Sequence, residues 1–142
     1  MKVKRASTPE EILKCFDAIH SLRPKMTREN IVERITGMMS EGYILIYVED
    51  DGKVPCFCGY RYANLLAWGK AIYIDDLGTV AEGRGKGYAS ALLDYVFDEA
   101  RKNNCEQIHL DSGCFPERYD AHRLYLNKGF NIVSHHFTYK FK

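Results

Sequence analysis

Net charge is nearly absent from this 142-residue chain: 20 Lys and Arg stand against 19 Asp and Glu, a formal +1. No sequence-wide field is available to hold nucleic acid or an anionic membrane surface, so any acidic ligand must be gripped locally. Long apolar runs are missing as well. The opening Met1-Lys2-Val3-Lys4-Arg5 turns polar again at Ser7-Thr8-Pro9, and no later window approaches the span of a bilayer. The expectation is a soluble, cytoplasmic protein without a membrane segment. There is no Cys-x-x-Cys and no His at zinc-finger spacing; the five thiols (Cys15, Cys56, Cys58, Cys105, Cys114) are odd in number and scattered. Cys15 falls on the apolar face of a helix pattern, and Cys56 and Cys58 fall on one side of a strand pattern, where cysteine acts as a small hydrophobe. No metal is expected. Repeats, linkers and low-complexity tracts are also lacking.

What is present is enough for one core. Hydrophobic residues make up 46% and charged residues 27%, which excludes disorder as the main state, and the length suits a single domain over residues 1–142. Thr8-Pro9-Glu10-Glu11 reads as a helix start, and Ile12, Cys15, Phe16, Ile19 and Leu22 recur at helical spacing until Pro24. Thr27 caps a second helix with Ile31, Ile35, Met38 and Met39, ending near Gly42. Tyr43 to Val48 and Val54 to Tyr62, joined through Glu49-Asp50-Asp51-Gly52-Lys53, predict an antiparallel hairpin. Ala71 to Leu77 reads as a central strand, apolar on both faces until Asp75-Asp76. Period-2 alternation sends those two carboxylates to opposite faces.

A glycine-rich turn, Gly83-Arg84-Gly85-Lys86-Gly87, then opens a helix with Leu92, Leu93, Val96 and Ala100 on its buried stripe, and Gln107 to Asp111 follows as a strand. This strand–loop–helix–strand crossover makes a parallel pair. A short helix over Tyr119–Asn127 and one or two strands between Phe130 and Phe141 complete a mixed α/β sheet with helices on both faces.

The turn carries the chemistry. Amides at a helix start lack intrahelical acceptors and point outward with the positive end of the dipole, and glycine lets an anion approach them. Arg84 and Lys86 add charge. The phosphate-loop pattern fails because Gly85-Lys86 is followed by Gly87 instead of Ser or Thr, and the dinucleotide fingerprint fails at Ser90. Arg84-Gly85-Lys86-Gly87-Tyr88-Ala89 instead resembles the Arg/Gln-x-x-Gly-x-Gly/Ala signature of the GNAT superfamily of N-acetyltransferases. Ala121-His122-Arg123-Leu124-Tyr125 with Gly129-Phe130 is similar to that family's closing motif, at the right separation.

The resemblance implies a GNAT-like mixed, mostly antiparallel twisted sheet and transfer of an acetyl group from acetyl-CoA to a primary amine. It implies that Arg84, Gly85, Lys86, Gly87, Tyr88, Ala89 and Ser90 grip the coenzyme pyrophosphate. The backbone of Leu77, Gly78 and Thr79 would pair with the pantetheine arm as an added strand. Tyr125 would donate the proton to the leaving thiolate, since a phenol titrates near roughly 10 in model peptides. Relatives place a carboxylate, commonly Glu, where Asp75 stands, which makes Asp75 the candidate base, acting directly or through water. Asp76, Asp111, His122 and His136 are further acceptor-side candidates, and the acids at strand ends suit a cationic amine such as a polyamine, an aminoglycoside or a lysine side chain. Tyr43, Tyr60, Tyr62 and Trp68 are aromatic candidates for the acceptor side. Homodimers are common among such relatives. A non-catalytic acyl-CoA sensor and a different nucleotide-binding module are the competing readings.

Overall fold

In the computed structural model, which describes residues 1–142, five strands form one sheet: β1 (Lys2–Arg5), β2 (Ile44–Asp50), β3 (Lys53–Leu65), β4 (Gly69–Thr79) and β5 (Gln107–Leu110), in the order β1-β2-β3-β4-β5. The first four pair antiparallel and β4–β5 pair parallel. Local chemistry explains the difference. At the β2–β3 turn Asp51 and Gly52 both hold positive φ (53° and 73°), the primed-turn geometry that matches strand twist. A parallel pair needs a crossover, supplied by α4 (Tyr88–Lys102). The expected α/β class and mixed, mostly antiparallel sheet are the ones observed.

The expected first helix is two helices, α1 (Pro9–Lys14) and α2 (Phe16–Leu22), broken at Cys15, whose amide bonds the Ile12 carbonyl three residues back at 3.0 Å. That tightened step still leaves Ile12, Cys15, Ala18 and Ile19 buried. Thr8 caps α1 by accepting from the Glu11 amide at 3.2 Å. Thr27 sits one turn ahead of α3 (Ile31–Met39), with its amide donating to Asn30 Oδ1 at 2.9 Å while the Asn30 amide donates to Thr27 Oγ1 at 3.2 Å. Gly42, at φ 102°, ends the segment where an L side chain would be strained.

The sheet is covered on both faces. Tyr43, Leu45, Tyr47 and Phe57 share a core with Ile12, Cys15, Ile19, Ile31 and Ile35 of α1–α3. Alternate positions, including Cys56, Cys58, Tyr60 and Ile72, are buried on the other face, where α4 packs with Leu92, Leu93 and Val96. Each buried Leu, Ile, Val or Phe among them contributes about 1.5–3 kcal/mol by leaving water.

One irregularity matters for the site. Gly59 pairs with Asp76 and Tyr60 with Ile74, so Asp75 is an extra residue bulged out of the β3–β4 ladder. The β4–β5 ladder stops at Ile74↔Leu110, while β4 continues to Thr79. Within this unit, Asp75–Thr79 therefore have a strand on one side only.

The chain divides into two compact units, Met1–Leu110 and Asp111–Lys142. The second contains a 3₁₀ turn (Pro116–Arg118) and α5 (Tyr119–Asn127), which closes at Gly129 with φ 99°. The strands expected between Phe130 and Phe141 have no partner strand inside this unit, and a strand is defined by its partner; contacts of the segment within the unit include the Tyr139 and Phe141 rings at 5.2 Å and His136 Nδ1 at 3.4 Å from Asp111 Oδ1. No helix of the protein is long and apolar enough to cross a membrane.

Candidate active site

The strand β4 leads through a 3₁₀ turn at Ala81–Gly83 into the glycine loop. Arg84 is extended (φ −71°, ψ 149°), Gly85 and Gly87 take φ of 75° and 84°, and α4 begins at Tyr88 with Gly87 as its N-cap and no capping side chain. A Cβ on either glycine would meet nothing within 4 Å, so positive φ is what requires glycine here. After the Arg84 amide, the next to find a backbone acceptor is that of Ala91, on the Gly87 carbonyl at 3.0 Å. Six consecutive amides, Gly85 to Ser90, have no backbone acceptor. This is a donor nest of the kind that suits an anion, at the positive end of a 15-residue helix. Arg84 precedes it, Lys86 lies within it, and both are exposed. The residues present thus fit a pyrophosphate.

The loop is tied to the sheet. Tyr88 Oη donates to Asp50 Oδ2 at 2.6 Å, which anchors the first turn of α4 to the end of β2. The bond holds the Asp50 carboxyl below its usual range and pushes the Tyr88 phenol up.

Leu77, Gly78 and Thr79 form the end of β4, on the stretch that β5 does not flank. Gly78 is required by packing, because a Cβ there would lie 2.9 Å from Leu22 Cβ and from Phe57 Cε1. Thr79 Oγ1 lies 3.1 Å from Cys56 Sγ on the α4 face. Burial pushes the Cys56 thiol to about 11 and the Cys58 thiol well up, so both stay protonated at neutral pH. Cys15, also buried, is pushed up to about 12. No group of three or more His, Cys, Asp or Glu is arranged to hold a metal ion.

The placement of the two aspartates corrects the sequence expectation. The bulge at Asp75 cancels one step of the alternation, and both carboxylates come to the α1–α3 face. Asp75 accepts from Arg61, with Nη2 at 2.6 Å from Oδ2 and Nε at 3.0 Å from Oδ1. Asp76 accepts from Arg23 Nε at 2.8 Å on Oδ1 and from Tyr43 Oη at 2.8 Å on Oδ2. Arg61 also stands over the Tyr43 ring, 5.6 Å from its centroid. Burial, then the Asp76 charge, drives the Tyr43 phenol well up, and it stays a neutral donor. Gly59 makes this fit possible: a Cβ there would occupy the Tyr43 hydroxyl's position.

The aromatic candidates separate. Tyr43 is in this network. Tyr60 is buried on the α4 face, and Tyr62 accepts from Asn103 Nδ2 at 2.9 Å beside the end of α4. Trp68 stacks on His109 with ring centroids 3.5 Å apart. In the second unit, Tyr125 lies on α5 with its ring edge-on to Phe130 at 6.0 Å. His122 Nε2 donates to the Gly113 carbonyl at 2.8 Å, the structural use of a histidine, and His136 Nδ1 lies 3.4 Å from Asp111 Oδ1.

Arg23, Arg61 and Asp50 had no place in the sequence-based site. None of them carried a signal in the sequence: Arg61 lies diagonal to Asp75 only in the observed β3–β4 register, in which it pairs with Tyr73.

Comparison with known proteins accords with the geometry. Residues 10–130 match the family model of the acetyltransferase (GNAT) family. The uncharacterized N-acetyltransferase YhdJ of Bacillus subtilis (strain 168) is 33% identical over 137 residues, 95% of each chain. Among solved structures, a ribosomal-protein-alanine N-acetyltransferase from Brucella melitensis biovar Abortus 2308 superposes with a TM-score of 0.83 at 17% identity, covering 99% of this chain and 100% of that one. The aminoglycoside N-acetyltransferase AAC(6')-Iy, solved in complex with CoA, gives 0.81 at 12% identity, covering 99% of this chain and 94% of that one. Those two show the shared fold, and the family model with the Bacillus relative shows more: this chain belongs to the GNAT acetyltransferase family.

Proposed function

We propose that residues 1–142 act as one acetyl-CoA-dependent N-acetyltransferase domain whose acceptor is a primary amine. The observation that carries this reading is the run of amides without backbone acceptors from Gly85 to Ser90, with Arg84 before it and Lys86 within it. It suits a diphosphate, and the loop follows a strand end, Leu77–Thr79, that offers unpaired backbone to an extended arm.

When bound, acetyl-CoA supplies an activated acetyl thioester. In a direct transfer the amine nitrogen forms the C–N bond, the C–S bond breaks, and the thiolate takes a proton, so no enzyme nucleophile is needed. The protonated buried thiols of Cys56 and Cys58 agree with that. A backbone N–H from Leu77–Thr79 polarises the acetyl oxygen. Arg61 engages both oxygens of Asp75 but leaves each a second lone pair, through which Asp75 takes the ammonium proton directly or by way of a water. Tyr125, by its place in the closing motif, returns a proton to the sulfur.

Titration calorimetry of CoA against ATP tests the loop, and free-thiol release from acetyl-CoA across a panel of amines tests the transfer. CoA binding in preference to ATP, with thiol release that depends on the added amine, is the expected result. Failure to bind CoA overturns the reading.

A further inference from the structure

We infer that Arg23 selects the acceptor, and that the acceptor is a small amine bearing a carboxylate close to its amino group. The inference rests on the acetyltransferase reading above and names its substrate class. Of the acids that favoured a polycationic acceptor, the two on β4 are already paired with arginine: Arg61 holds Asp75, while Arg23 and Tyr43 between them take both oxygens of Asp76. Two guanidiniums cancel two carboxylates. A bare polycation entering here meets a pair of neutralised carboxylates instead of a net negative charge.

Arg23 is the member of the group with capacity to spare. Pro24 follows it and forbids helical backbone, so Arg23 caps α2 at φ −122° and ψ 80°. Its side chain is pinned to β4: Nε to Asp76 Oδ1 at 2.8 Å, Nη2 to the same oxygen at 2.7 Å, and Nη2 to the Asp75 carbonyl at 3.1 Å. Nη1 has no partner in the chain, and the side chain is 50% exposed. A guanidinium held along one edge with two donors left over is preorganised for a planar anion. Its anchor, the Asp75 carbonyl, lies where β4 loses its β5 neighbour, beside the stretch assigned to the thioester arm. A carboxylate on Arg23 Nη1 would therefore hold a neighbouring amine near the acetyl group. Arg61 is held by the same Nε–Nη2 edge on Asp75, but at 33% exposure against 50% it is the less accessible of the two guanidiniums.

The test is kcat/KM by thiol release for wild type, Arg23→Gln and Arg23→Lys. The acceptors are primary-amine amino acids, each paired with its decarboxylated amine, for example phenylalanine with 2-phenylethylamine. Wild type is expected to prefer the carboxylate-bearing partner by about tenfold or more, Arg23→Gln to lose that preference through KM, and Arg23→Lys to keep part of it. Equal rates within pairs, a preference unchanged in Arg23→Gln, or CoA binding without turnover of either series each overturn the inference while leaving the coenzyme assignment standing. Absence of CoA binding by calorimetry overturns both, so the two failures are distinguishable.

Discussion

The glycine loop and the bulge on β4 lie a few residues apart along the chain and solve opposite problems. At the loop, six amides from Gly85 to Ser90 are left without backbone acceptors, and the nearby basic side chains are exposed. At the bulge every carboxylate oxygen of Asp75 and Asp76 is already engaged by an arginine or a tyrosine. The loop leaves its amides open because a helix start has no intrahelical acceptors for them; the bulge is saturated because buried or half-buried charges must be neutralised by the fold itself. A run of bare donors therefore favours negative charge whatever approaches it, whereas a cluster of acids reports nothing until its partners are known.

The comparison can be broken at several points. The largest effect is expected outside both regions: Tyr125→Phe lowers turnover by about 10- to 1,000-fold with little change in CoA affinity, the range for loss of a general acid. Steady-state rates beside calorimetric affinities check it, and unchanged turnover removes Tyr125 from the reaction. At the loop, Gly87→Glu forces a side chain into φ 84° and puts a negative charge against the phosphates, so CoA affinity falls about tenfold or more, measured by the same calorimetry. At the bulge, Gly59→Ala displaces the Tyr43 hydroxyl from Asp76 and costs about 1–3 kcal/mol in urea unfolding, the range for an overfilled core.

Alkaline pH sharpens the contrast between buried and open groups. The Cys15 and Cys56 thiols titrate at about 12 and about 11 in the folded protein against an ordinary 9.0. Their folded values are raised, so their contribution to stability is whole below pH 9 and is lost as pH climbs through 11 to 12. Urea midpoints should fall over that window, and Cys15→Ser with Cys56→Ser should flatten the decline. The smallest effect belongs to Tyr88→Phe, which removes the 2.6 Å bond to Asp50 and frees the first turn of α4. A rise of about two- to fivefold in KM for acetyl-CoA at unchanged kcat is expected, on the order of 1 kcal/mol or less.

Much of the fold was legible because its signals are local. Helical periodicity found α4 from its buried Leu92, Leu93, Val96 and Ala100, and α5 has the bounds its pattern implied, Tyr119 to Asn127. Asp51-Gly52 marked the β2–β3 turn before its dihedral angles were known. The break at Cys15 was not legible, since a single tightened step leaves the apolar spacing intact. Neither was the bulge: Asp75-Asp76 reads as ordinary alternation, and only the register against β3 shows that one residue has no partner.

The order of residues by itself determined the loop: glycines at two positive-φ positions, basic residues beside them and a helix directly after are sufficient to leave amides facing outward, because each of those effects acts over a few bonds. It also determined the family, through two motifs whose spacing no tertiary contact needs to explain. Only the tertiary structure decided which cation meets which acid. Arg23 and Arg61 reach Asp76 and Asp75 across 53 and 14 residues of chain, and electrostatic pairing depends on distance in space, which a one-dimensional pattern does not contain.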